Sequence, residues 1–139
     1  MGSGSDKSLQ STLRRSLAAL QQQSDTVDLQ RKALIGYSLG ASAALRAVTV
    51  AQGEWSGLML VNAGLEPNAT VLRAAGVKRV ALVAGERDLS SPKLQRAAKR
   101  LLRGQVDARF FSLAATGHYF DASSEQRLLE PLLWLRERL

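Results

Sequence analysis

Three short runs of uninterrupted apolar residues constrain the fold of this chain more than any other feature. They are Ala33-Leu34-Ile35, Leu58-Met59-Leu60-Val61 and Val80-Ala81-Leu82-Val83-Ala84. A strand with one face in water alternates apolar and polar residues. A run without that alternation calls for burial on both faces, which is the environment of a parallel sheet covered by helices. The predicted strands are residues 32–37, 57–62 and 79–84, with a fourth at 108–113.

The intervals between the runs carry helical signals. Leu9, Leu13, Leu17 and Leu20 recur on one face of a helix over 8–23. Residues 41–51 are small and apolar almost all round and predict a well-buried helix. A short helix over 69–75 ends at Gly76. Ser90 or Ser91 can cap the next helix, with Pro92 in its first turn, and that helix runs to about Arg103 before Gly104. Ser123 or Ser124 begins a last helix carrying Leu128, Leu129, Leu132, Leu133 and Leu135. The order is α-β-α-β-α-β-α-β-α. It predicts an α/β fold, a mainly parallel sheet of about four strands with flanking helices and right-handed crossovers.

The 139 residues suit one domain. Residues 1–5, Met1-Gly2-Ser3-Gly4-Ser5, read as an appended remnant or flexible leader, and 6–139 as a single α/β domain. The chain has no cysteine, which excludes a disulfide scaffold, a Cys-ligated zinc and a thiol nucleophile. It has one histidine, which excludes a multi-His metal site. The absence of cysteine fits a reducing, cytoplasmic setting. No apolar run approaches the roughly 18 residues that span a membrane.

Net charge is +7, which raises nucleic acid or an acidic surface as a partner. The basic residues are scattered, however. Their densest group, Lys93, Arg96, Lys99, Arg100 and Arg103, fits one solvated helix face. Aromatic residues make up only 5%, too few for a base-stacking platform. Nucleotide-binding loops need a Gly-x-Gly-x-x-Gly or a terminal Gly-Lys-Ser/Thr, and neither is present.

The chemistry-bearing residues fall at the ends of predicted strands. Gly36-Tyr37-Ser38-Leu39-Gly40 follows one strand and opens a helix, the context of a nucleophile elbow. Such a turn needs glycines where neighbouring chain comes close, and it raises the Ser38 hydroxyl above the sheet edge. A serine hydroxyl needs a base. His118, in Thr116-Gly117-His118-Tyr119-Phe120, lies just past the fourth strand. Open α/β sheets form their sites at that edge. The histidine in turn needs an acid to fix its tautomer. Asp88, closing Gly85-Glu86-Arg87-Asp88, is the candidate. Glu86 is expected to face solvent or an arginine, and Asp121 is too near His118 in sequence to serve comfortably.

From residue 33 onward the chain resembles the C-terminal half of the α/β-hydrolase fold family. The order Ser38, Asp88, His118 matches that family's order of nucleophile, acid and histidine. The resemblance implies hydrolysis of esters, amides or related acyl compounds, with Ser38, Asp88 and His118 catalytic and the backbone N–H of Leu39 in the oxyanion hole. No cofactor or metal is implied. Family members carry several strands before the elbow strand, and a second oxyanion donor from a loop among them. Here only one helix precedes Lys32. The strand from Lys32 to Tyr37 would then be an exposed apolar edge, which predicts homo-oligomerisation through it.

The expected function is a serine hydrolase, esterase-like, on small acyl esters, its oxyanion hole helped by a group from a second subunit. The alternative is a truncated or engineered, non-catalytic half-fold acting as a self-associating module. A basic binding module is the third reading, which the scattered charge disfavours.

Overall fold

In a computed structural model the structure describes residues 3–24 and 26–139. The sheet is parallel throughout, with β1 (Ala33–Tyr37), β2 (Gly57–Val61), β3 (Arg79–Gly85) and β4 (Asp107–Leu113) lying side by side in chain order. The register pairs Ile35 with Met59, Met59 with Ala81, and Ala81 with Arg109. Helices alternate with the strands: α1 (Ser3–Gln23), α2 (Leu39–Val50), α3 (Ala69–Ala74), α4 (Ser91–Arg103) and α5 (Ser124–Arg136). This is the expected α/β architecture of four strands with flanking helices.

Both faces of the sheet are covered. Leu58, Leu60, Val80, Leu82 and Ala84 face one core with side chains from α2, α3 and α4. The intervening Met59, Val61, Ala81 and Val83 face a second core against Leu128, Trp134 and Leu135 of α5. Every residue of β2 and β3 is buried, which explains why these two strands read as unbroken apolar runs. The three crossover helices α2, α3 and α4 share one face, as connections of a single hand stepping across a sheet must. Among the described helices, only α5, which connects no strands, lies on the other.

Three local expectations need correction. Helix α1 takes in Ser3, Gly4 and Ser5, part of the stretch read as a leader, while Met1 and Gly2 lie outside the described residues. Asp6 in its first turn favours that start through the helix dipole. The helix is tied to α2 by Gln10 Nε2, which donates to the Ala47 carbonyl at 3.2 Å, and by Leu13 and Leu17 on the core, whereas Leu20 is exposed. Helix α2 buries one face only, Ala41, Ala44, Ala47 and Val48, leaving Leu39 and Val50 exposed, because it lies at the sheet margin. Ser90 takes the N-cap position of α4 without capping it. Its hydroxyl is diverted to Asp88.

At the N-terminal ends of the strands the Arg79 guanidinium is buried. Its Nε donates to Asp107 at 2.7 Å, it stacks on the Trp134 ring at 4.0 Å, and it donates to the Trp134 carbonyl. β3, β4 and α5 are thereby joined at the edge opposite the chemistry. No helix among the described residues is long and apolar enough to cross a membrane.

Candidate active site

Ser38 stands alone between β1 and α2, with φ 51° and ψ −119°. Few non-glycine residues adopt this conformation, and it stores strain that the surroundings must enforce. Two contacts enforce it. The Ser38 N–H donates to the Val61 carbonyl at 2.8 Å. Gly36 lets α2 fold back onto the strand: a Cβ there would lie 2.5 Å from the Ala41 Cα and 2.6 Å from the Gly40 carbonyl oxygen. Gly40 is different. A Cβ there would meet nothing within 4 Å, so the second glycine of the motif answers no steric demand, contrary to the expectation for such a turn.

The loop after β4 brings His118 over the serine, and four neighbours fix it. Gly85 lies directly under the Thr116 and Gly117 carbonyls, where a side chain would collide with both. Asn62 Nδ2 donates to the His118 carbonyl at 2.9 Å and to that of Gly117 at 3.3 Å, while its Oδ1 accepts the Gly85 N–H at 2.8 Å. The Tyr37 hydroxyl donates to the His118 carbonyl at 2.5 Å. Arg127 Nη1 donates to the Thr116 hydroxyl at 2.6 Å.

The side chains of Ser38, His118 and Asp88 form one hydrogen-bonded chain. Ser38 Oγ lies 2.9 Å from His118 Nε2, and His118 Nδ1 lies 2.6 Å from Asp88 Oδ2. An ionised carboxylate can only accept, so Asp88 places the proton on Nδ1 and leaves Nε2 to accept from the serine hydroxyl. The Asp88 side chain is only 5% exposed and that of His118 is 40% exposed. Burial pushes the Asp88 carboxyl up. Hydrogen bonds from the Ser90 hydroxyl, the Ser90 N–H and His118 outweigh it and hold the carboxyl below the ordinary 3.8. Leu39 opens α2, where the first N–H groups of a helix have no intrahelical acceptor. Its N–H is thus free to meet an anion beside Ser38.

No protein-family model matches the sequence, and no curated protein does. Solved structures do match. SOBER1 of Arabidopsis thaliana, an α/β-hydrolase-fold protein, superposes with a TM-score of 0.53 at 14% identity over 91% of this chain. One single-residue variant of SOBER1 superposes with a TM-score of 0.60 at 15% identity over 96% of this chain, and another with 0.54 at 14% over 91%. The chain has an α/β-hydrolase-like fold. It spans about two thirds of the length of these chains, 65% in the first case and 66% in the others.

Within this α/β-hydrolase-like fold, every sequence-predicted site residue lies at the C-terminal edge of the sheet. Ser38 follows β1, Asp88 follows β3 and His118 follows β4. The two discounted acids serve other groups. Glu86 is exposed, as expected, and its Oε2 also accepts the Ala115 N–H at 2.9 Å. Asp121 accepts from Ser123 and Ser124. Sequence reasoning missed Asn62, Tyr37 and Ser90. Asn62 did carry a signal. It is a polar residue closing a buried strand at the same edge, and asparagine is enriched at positive φ. Its φ is 51°.

Proposed function

We propose that this chain is a serine hydrolase acting on small acyl esters. The observation that carries the reading is the hydrogen-bonded chain from Ser38 Oγ through both nitrogens of His118 to Asp88. Ser38 Oγ attacks the ester carbonyl carbon as His118 Nε2 takes its proton. Asp88 holds the ring and stabilises the imidazolium that forms. The tetrahedral oxyanion accepts from the Leu39 N–H at the positive end of α2. As it collapses, the C–O bond to the alcohol breaks and His118 returns its proton to the leaving oxygen. Water, deprotonated by His118, then attacks the acyl-serine and releases the acid, regenerating Ser38. Strain at Ser38 keeps the hydroxyl clear of the strand and aimed at the ring. The α/β-hydrolase-like fold shared with SOBER1 is compatible with this class.

A fluorophosphonate probe tests this without a known substrate. Intact mass should show one adduct, mapped to Ser38 and absent from Ser38→Ala. His118→Ala should slow labelling by at least a hundredfold, on the order of what general-base catalysis contributes. A folded protein that gains no adduct would overturn the reading. It would favour the non-catalytic module instead.

A further inference from the structure

Beside the His118 ring lies an open cleft of about 540 Å³. Asn62 and Gly64 line it from the loop after β2, Arg87 and Leu89 from the loop after β3, and Lys93 from the first turn of α4. Its one acidic wall residue is Asp88, whose carboxylate is taken up by His118 and Ser90. Its two cations are not neutralised. Arg14, Arg31, Arg46, Arg79, Arg100 and Arg109 each have a carboxylate partner. No acidic side chain among the described residues pairs with Arg87 or Lys93. The Lys93 stem lies over Gly64, where an added Cβ would come 3.3 Å from its Cδ. The missing side chain leaves the lysine room to lie along the cleft wall.

The position of the cleft says which half of a substrate it meets. It is bounded by His118 and not by Ser38. His118 hands its proton to the departing oxygen, so the alcohol portion must stand on the His118 side. The geometry points to an ester whose alcohol portion carries an anionic group, received by Lys93 and Arg87. This inference rests on the hydrolase reading and adds the substrate class to it. Exposed ion pairs are individually weak, a few-fold each, so the two cations together supply about tenfold selectivity. Salt must erode that selectivity, because the Debye length is only about 10 Å at 0.1 M.

The test is a ratio, which cancels any general loss of folded protein. Acetate release is measured from meta-acetoxybenzoate and from its neutral counterpart meta-acetoxybenzamide, each kcat/KM divided by the ester's uncatalysed rate. The anionic ester should be favoured by about tenfold at low salt. Lys93→Gln should lower the ratio several-fold, chiefly through KM, and Lys93→Glu should lower it further. Arg87 is left intact because its Nη2 donates to the Ala115 carbonyl in the histidine loop, at 2.5 Å. A parallel series with meta-acetoxyphenyl phosphate tells a carboxylate preference from a phosphate preference. Turnover of both the acetoxybenzoate and the acetoxybenzamide with a ratio near one, insensitive to Lys93→Gln and to salt, would overturn the inference and leave the hydrolase standing. Failure of Ser38 to take the fluorophosphonate would remove both.

Discussion

Within Gly36-Tyr37-Ser38-Leu39-Gly40, an added Cβ collides with backbone at position 36 and meets open space at position 40. Gly36→Ala should therefore cost about 3 kcal/mol or more, because the neighbouring atoms are main chain and cannot swing aside. Gly40→Ala should instead stabilise by about 0.5 kcal/mol, through loss of unfolded-state entropy in a helical position. Urea unfolding of both variants checks the pair. The motif is legible in the sequence, but which glycine is sterically required is not, since that depends on how α2 crosses β1. Asp88 adds a pH dependence whose sign follows from its neighbours. Its folded carboxyl titrates below the ordinary 3.8, so the unfolded chain binds the proton more tightly. Its stabilisation is fully present above the unfolded value and disappears as pH falls through the folded one. Unfolding free energy measured from about pH 6 to about pH 2 should fall less steeply in Asp88→Asn than in the parent.

At the scale of elements, one buried side chain joins three strand ends. Asn62, 3% exposed, accepts from the N–H of Gly85 at the end of β3 and donates into the histidine loop after β4, while closing β2 itself. Glycine at this position tolerates φ 51° and removes the side-chain amide, leaving the Gly85 N–H and the Gly117 carbonyl without that partner, while the His118 carbonyl keeps only the Tyr37 hydroxyl. Asn62→Gly should cost about 2–3 kcal/mol. It should also slow fluorophosphonate labelling of Ser38, because the His118 carbonyl loses a tether. Full-rate labelling in a destabilised Asn62→Gly protein would show that the amide supports the fold and not the ring. The elements themselves were readable because apolar runs and capping residues are local signals. Asn62 was not singled out because its three partners lie 23 to 56 residues away. Arg79 hid for the same reason: a charge opening an apolar strand makes sense only once Asp107 and Trp134 have been folded around it.

At the scale of the whole molecule, the two edges of the sheet are unlike. β4 carries Asp107 and Arg109, which are charges of the kind that discourage strand addition. β1 carries no charge and no proline, pairs only with β2, and leaves Ile35 50% and Tyr37 37% exposed. Among the described residues, its outward N–H and C=O groups have no strand to meet. We expect two copies to pair β1 to β1, antiparallel about a two-fold axis, giving a continuous sheet of eight strands, four from each copy. That arrangement sets the start of one β1 beside the end of the other, close to Ser38, where a second subunit could add to the oxyanion site. Each copy carries a net charge of +7, so repulsion opposes the pairing and added salt should strengthen it. Light scattering over a dilution series should show a monomer–dimer equilibrium shifted toward dimer by salt. Ile35→Lys places a cation on the exposed face of that edge and should yield monomer throughout, at little cost to unfolding free energy, because the side chain is already half in water. A parent protein that remains monomeric at high concentration and high salt would mean that this edge is closed by something other than a second copy.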